Sequence, residues 1–158
     1  MGTSNFCEKQ YELVCDSRRV LFDYCKAISE QHFVKEHSSF GRGGSIRNLL
    51  VHIANTYQFW IGQEYLKREM AFTEYTSVET MGDVAQLFRA IDKLIEEFLV
   101  AMKQNEDLAT DMAITGKNSS LAFKYFTHVI THEFHHKGQI LSLSRQLGYI
   151  PVDTDVMR

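Results

Sequence analysis

The sequence predicts an all-α protein built as a four-helix bundle, and three observations carry this prediction. The only proline is Pro151, so the 150 residues before it contain none that would break a helix. Apolar residues recur at spacings of three and four in separate long stretches. With 158 residues, 44% of them hydrophobic, the chain has the size and composition of one packed unit. We therefore predict a single domain over residues 1–158.

The first helix is predicted over about residues 5–30, from an apolar stripe that comprises Val14, Leu21, Phe22, Cys25 and Ile28. Asn5 followed by Glu8 resembles a capping box, so Asn5 is expected at the N-cap. The periodicity is lost between residues 32 and 44. Because glycine is costly in helices and easy in loops, the glycine-rich segment 41–44 favours a long connection here.

The second and third helices are predicted from their caps and their apolar stripes. Ser45 is expected to cap a helix over about 45–68, whose stripe is Leu49, Leu50, Ile53, Tyr57, Trp60 and Ile61. Thr76 and Glu79 form a T-x-x-E pattern before the next stripe, so Thr76 is expected near the start of the third helix. That stripe is Val84, Leu87, Phe88, Ile91, Leu94, Ile95, Phe98 and Met102.

The last helix is predicted to follow a short link. The stretch from Leu108 to Asn118 is mixed in character, which favours either an irregular segment or a brief strand. Ser119 or Ser120 is expected to cap the final helix, which continues to about Leu147. Gly148 is expected just beyond its C-terminus, because glycine adopts the left-handed conformation common at that position.

Composition excludes several classes of partner and location. A formal charge of -3 and a pI near 6.1 disfavour nucleic acid, whose binding needs clustered Lys and Arg. No apolar run approaches the roughly 20 residues that cross a bilayer, and the N-terminal segment lacks the features of a secretory signal. Three cysteines within one predicted helix, Cys7, Cys15 and Cys25, fit neither a disulfide framework nor a metal knuckle. We expect a soluble, cytoplasmic protein.

Histidines are concentrated in the last helix, where His128, His132, His135 and His136 lie within nine residues. Residues four apart project from one helix face, with Cβ atoms ~5–6 Å apart. His132 can therefore share a metal ion with His128 or with His136. The outer two lie ~12 Å apart along the axis, which is too far for bonds of ~2.0–2.1 Å to one ion. Any site should use one adjacent pair, while His135 points away.

A third ligand is expected from another helix, and His52 is the candidate because it lies one position from the apolar stripe of the second helix. Three neutral imidazoles suit a divalent transition metal such as Zn, Ni or Fe, and they leave a coordination position open for a substrate. The alternative remains that a helical histidine is only a half-buried polar residue.

The segment His132-Glu133-Phe134-His135-His136 also satisfies the H-E-x-x-H pattern of zinc peptidases, in which the glutamate is the general base. The positions where metzincins carry a further glycine and histidine hold Gln139 and Ser142 here, and no glutamate follows Glu133 to serve as a third ligand. We therefore interpret Glu133 as a carboxylate that links helices or supports the metal ligands.

Two segments resemble the DinB/YfiT-like family: Leu49-Leu50-Val51-His52-Ile53-Ala54 and His132-x-x-x-His136-Lys137-Gly138-Gln139-Ile140. The resemblance extends over essentially the whole chain. The resemblance implies a four-helix bundle, frequently dimeric, with one metal-binding histidine on helix 2 and an H-x-x-x-H pair on helix 4. It implies His52, His132 and His136 as ligands, and so selects His136 over His128. Gly138 and Gln139 complete the family-like H-x-G-Q segment.

The resemblance implies thiol-dependent chemistry, because characterised relatives include S-transferases and isomerases that use bacillithiol or mycothiol. The leading hypothesis is a metal-dependent enzyme in which a low-molecular-weight thiol attacks a small electrophile. A metal-dependent hydrolase and a non-catalytic metal-binding stress-response protein are the alternatives. A small-molecule substrate and a homodimer are the expected partners.

Overall fold

The computed structural model describes residues 2–37, 44–112 and 117–158, with the side chains of 106–112 and 117–120 left undescribed. Four long helical segments dominate, as predicted. They are α1 (Thr3–Cys25), α3 (Ile46–Tyr57) with its continuation Gln58–Tyr65, α4 (Met81–Met112) and α5 (Lys117–Gln146). A four-residue helix, α2 (Glu30–Phe33), follows α1. The described ranges contain no β-strand, only an isolated bridge between His37 and Gly44. The all-α prediction is confirmed.

Helix α1 differs from its prediction at both ends. It begins at Thr3 with Gly2 as a cap that makes no side-chain bond, so Asn5 lies inside the helix and the predicted Asn5 cap was wrong. It ends at Cys25 instead of near residue 30, since Ser29 caps the separate helix α2 by accepting the His32 N–H. The glycine-rich segment of the predicted connection lies almost wholly outside the described residues.

Helix α3 begins as predicted, with Ser45 at the N-cap accepting the N–H of Asn48 at 3.0 Å. Its second half is not α-helical. Residues 58–65 form a π-helix, in which each residue turns through less than the ~100° of an α-helix. Lys67, with φ at 55°, takes the left-handed conformation just after the helical segment ends.

Helix α4 starts later than predicted and ends later. Thr80, not Thr76, makes the capping contacts: its hydroxyl accepts the Asp83 N–H at 3.2 Å, and Asp83 accepts the Thr80 N–H at 2.8 Å. Thr76 lies in a 3₁₀ turn at Tyr75–Ser77, so that prediction was wrong. The helix continues to Met112, so residues 108–112, which were predicted to belong to an irregular link or a brief strand, are helical.

Helix α5 begins at Lys117, so Ser119 and Ser120 lie within it and neither is the cap. The side chains of Ser119 and Ser120 lie outside the described part of the chain. Gly116, which precedes the helix, also lies outside it. The C-terminal prediction is confirmed, because Gly148 has φ at 94° and lies just beyond the helix, after Gln146 and Leu147. The Tyr149 N–H bonds to the Ser144 carbonyl and the Gly148 N–H to the Arg145 carbonyl, which together form a Schellman motif.

Packing pairs α3 with α5 and α1 with α4, and the four long segments share one buried apolar cluster. Among the largest fully buried side chains are Tyr57, Phe98, Phe126, Leu21 and Ile53. The C-terminal segment returns to α1, where the Ser17 hydroxyl donates to the Thr154 carbonyl. No helix in the described ranges has the length and apolarity needed to cross a membrane. The pairing of α3 with α5 brings the histidines of the two helices together.

Candidate metal centre

Three histidines from two helices meet at one point. The ring centroid of His52, on α3, lies 4.9 Å from that of His132 and 4.8 Å from that of His136, both on α5. The Nε2 atoms of His132 and His136 are 3.0 Å apart. One nitrogen from each ring lies within 4.8 Å of the others, so these residues form a group that could hold a metal ion. In a tetrahedral site with bonds of ~2.0–2.1 Å, ligand atoms lie roughly 3.4 Å apart.

The environment keeps two of these imidazoles uncharged at neutral pH. Burial, reinforced by the neighbouring histidines, lowers the pKa of His132 from 6.5 to about 3. Burial also lowers the pKa of His136, although its bond to Gln139 acts in the opposite direction. A neutral imidazole with a free lone pair is the form that binds a metal, so the donor set fits a divalent transition ion.

Hydrogen bonding orients the ring of His136. Its Nδ1 atom lies 2.6 Å from the side-chain oxygen of Gln139, one turn further along α5. If Nδ1 carries the proton and donates to this oxygen, the lone pair of Nε2 faces the group, which is the usual way a ligating histidine is held. The Nδ1 atom of His132, by contrast, is buried and has no hydrogen-bond partner in the part of the chain that the structure describes. Because Nε2 is the nitrogen that faces His136, this Nδ1 atom needs a different partner, such as a water.

The other two histidines of α5 lie outside the three-histidine group. His128 contacts His132 with ring centroids 5.8 Å apart, and it also contacts Trp60 at 5.1 Å. His135 is exposed, as predicted, and lies within 3.3 Å of the Gln139 amide nitrogen. The group therefore contains His136 rather than His128, which is the choice that the family resemblance implied.

Glu133 does not face the three histidines. Its Oε2 atom accepts bonds from Arg18 at 2.8 Å and from the Tyr57 hydroxyl at 2.7 Å. Its Oε1 atom accepts from Arg18 Nε at 3.0 Å and lies 3.1 Å from Lys137 Nζ. Although burial acts to raise the pKa of Glu133, the charges of Arg18 and Lys137 lower it to about 2. This carboxylate links α1, α3 and α5, as the interhelical interpretation predicted.

The rest of this ion network was not predicted from the sequence. Arg18 Nη1 also donates to Asp92 on α4 at 2.7 Å, and Lys137 donates to the Ser17 hydroxyl at 2.9 Å. The signal was present, because Arg18 lies four residues after Val14 and three before Leu21, both in the apolar stripe. A charged residue in such a stripe indicates a buried ion, and burial then requires an oppositely charged partner nearby.

The three cysteines are free, as the sequence predicted. Burial raises the pKa of the Cys25 thiol to about 12. Burial also raises the pKa of the Cys15 thiol, which lies 3.9 Å from Asp92. Cys7 is fully buried on the same helix. These environments oppose the thiolate form, so none of the three is placed as a nucleophile.

Comparison with known proteins gives the family that the chain matches. The sequence model that defines the DinB family matches residues 1–158, which is the whole chain. Protein DinB of Bacillus subtilis (strain 168) is 24% identical over 160 residues, which cover 96% of this chain and 92% of that protein.

Proposed function

The chain belongs to the DinB family, and on that premise we propose that it is a metal-dependent enzyme joining a low-molecular-weight thiol to a small electrophile. One observation carries the proposal: three imidazoles, two of them held neutral, converge from two helices without a carboxylate in the group. Such a donor set suits a divalent transition metal and leaves coordination positions for a small molecule. We assign His52, His132 and His136 as its ligands.

A divalent ion held there would lower the pKa of a thiol and so supply a thiolate at neutral pH. In the reaction, the thiolate sulfur attacks an electrophilic carbon of the substrate. A carbon–sulfur bond forms, the bond to the leaving group breaks, and the leaving group departs with the bonding electron pair. The thiol proton passes to solvent.

The thiol must come from outside the chain. A protein thiolate would need a lowered pKa, yet Cys25 and Cys15 both have raised pKa values and Cys7 is fully buried. All three lie on α1, whereas the three histidines lie on α3 and α5. An exogenous thiol is therefore the sulfur nucleophile that this arrangement supports.

The position of Glu133 disfavours the peptidase-like hydrolysis that the H-E-x-x-H pattern suggests. A general base must reach the attacking water, but both oxygens of Glu133 are bonded to Arg18, Tyr57 and Lys137. The carboxylate is fully buried, and its lowered pKa reflects those ionic partners. A hydrolase using this site would need a different base.

The decisive experiment uses cobalt as a spectroscopic probe. Purified, metal-free protein is loaded with Co²⁺ and titrated with a panel of thiols, including cysteine, glutathione and bacillithiol. We expect a thiolate-to-cobalt charge-transfer band with at least one thiol, followed by thiol-dependent consumption of an electrophile. The His135→Ala variant should behave like the parent, whereas His52→Ala should lose stoichiometric Co²⁺.

Two results would overturn the proposal. The first is a Co²⁺ spectrum that no thiol changes, and the second is hydrolysis of an ester at the same rate with and without thiol. Stoichiometric metal in His52→Ala would overturn the ligand assignment itself. The homodimer, the cytoplasmic location and the absence of nucleic-acid and membrane partners stay predictions, and sedimentation of the purified chain tests the first of them.

A further inference from the structure

A row of aromatic rings leads away from the three histidines. His132 contacts His128 at 5.8 Å between centroids, His128 contacts Trp60 at 5.1 Å, and Trp60 contacts Tyr125 at 5.5 Å. We call Trp60, Tyr125 and His128 the aromatic shelf. Trp60 and Tyr125 are half-buried and His128 is exposed, so the shelf borders the histidine group and remains open to solvent.

The π-helix explains how Trp60 reaches this position. In a regular α-helix, a residue eight positions after His52 would be rotated about 80° from it, since each residue turns through ~100°. Residues 58–65 turn through less than this, because the π-helix is wider. Trp60 therefore lies closer to the side of the helix that carries His52.

The chemistry of the shelf favours one class of ligand. Indole and phenol rings attract planar π systems through offset-stacked and edge-to-face contacts, which are worth more than the burial of their area alone. Two further rings extend the aromatic surface, since Phe59 contacts Trp60 at 4.9 Å and Phe72, which is 44% exposed, contacts Phe59 at 6.4 Å.

We infer that the aromatic shelf binds the planar ring of an aromatic electrophile, so that the reacting carbon lies beside the three histidines. This inference rests on the proposed function for the reaction, although binding of the ring to the shelf can be tested without any thiol. Trp60 and Tyr125 act as specificity residues in this scheme. The aliphatic counterpart of an aromatic substrate should bind more weakly, because it lacks the π face.

The test uses nitrobenzene and nitrocyclohexane, which share six carbons and a nitro group but differ in planarity. Trp60 is the only tryptophan, so its indole N–H gives a single side-chain resonance that needs no assignment. We expect Zn²⁺-loaded protein to show a saturable shift of this resonance with nitrobenzene, and an affinity at least about fivefold weaker for nitrocyclohexane. Equal affinity for the two compounds, or no saturable shift, would overturn the inference.

Three variants test whether the Trp60 ring contributes to nitrobenzene binding. Trp60→Leu should weaken nitrobenzene binding about fivefold or more, as measured by ligand relaxation, while Trp60→Phe should recover most of the affinity. Phe6→Leu is the matched control, because Phe6 is a 53% exposed aromatic residue on α1. Zn²⁺ affinity should be the same in all three. If Trp60→Leu fails to fold, the titration of the unmodified protein still decides the question.

The outcomes separate this inference from the proposed function. A missing thiolate band in the cobalt experiment would leave nitrobenzene binding unaffected. Conversely, nitrobenzene binding that is unchanged in Trp60→Leu would refute the role of the aromatic shelf, but it would not contradict the proposed thiol chemistry.

Discussion

On one face of α5, Glu133 and Lys137 are buried and paired with each other, whereas on the adjacent face His132 and His136 are half-buried and held neutral. The first face links α5 to α1 and α3, through Arg18, Ser17 and Tyr57. The second carries two of the three histidines that could hold a metal ion. The difference shows which face serves stability and which has capacity left for a ligand.

The two faces use different residue types because burial acts on them differently. A carboxylate, a guanidinium and an ammonium remain charged only where opposite charges offset the loss of hydration. An imidazole, whose ordinary pKa is near 6.5, gives up its proton instead and becomes a metal donor. The same helix can therefore carry a structural ion network and a candidate metal site one residue apart.

The largest expected effect concerns the ion network. Replacing Arg18 with methionine should lower the free energy of unfolding by about 3–5 kcal/mol, because Glu133 loses both bonds of its strongest partner in the interior. Urea denaturation measures this, with Arg19→Met as the exposed control, for which a loss under about 1 kcal/mol is expected. Folded Arg18→Met should still bind Zn²⁺. A loss of the same size in both variants would contradict the comparison.

The next effect concerns the candidate metal site. His132→Ala should weaken Zn²⁺ binding strongly, because a direct ligand is removed. The loss should exceed the roughly 10–100-fold loss of affinity that is typical when a residue bonded to a ligand is changed. The free energy of unfolding of the metal-free protein should change by less than about 1 kcal/mol, since no buried ion loses its partner. Competitive Zn²⁺ titration and urea denaturation of one preparation give both values. If His128→Ala lost the metal and His136→Ala kept it, the wrong adjacent pair was assigned.

A smaller effect is expected at Gln139, which holds the Nδ1 side of His136. Gln139→Ala should weaken Zn²⁺ binding about 10–100-fold, because the ring loses the acceptor that orients it. Gln139→Glu should restore most of the affinity, since a carboxylate oxygen accepts the same bond. Unchanged affinity in Gln139→Ala would show that packing alone positions the ring.

The smallest effect is expected at His135, next to the ligands in sequence but exposed on α5. His135→Ala should leave both Zn²⁺ stoichiometry and affinity unchanged within about twofold, because His135 lies outside the three-histidine group. Metal analysis by mass spectrometry checks the stoichiometry. Loss of metal in this variant would mean that the group in solution differs from the one described.

Prediction from sequence succeeded where the signal was local. Apolar spacing located the four long helices, Ser45 capped α3, and Gly148 took the left-handed conformation after α5. One of its failures came where two local signals competed. Thr76 and Thr80 both precede a helical stripe, and the choice between them depends on where α4 starts, which local pattern does not determine. The π-helix at Gln58–Tyr65, which continues α3, was not predicted from the apolar spacing of the sequence.

The sequence by itself determined the helical class and the family, and through the family resemblance it indicated the three histidines, because periodicity and short motifs are properties of neighbouring residues. Only the tertiary structure decided that Glu133 faces Arg18 and Tyr57 instead of the histidines, and that Trp60 joins His128 beside them. The physical reason is that burial and pairing depend on which faces of separate helices meet. That juxtaposition sets the charge state of each buried group, and a single helix does not specify it.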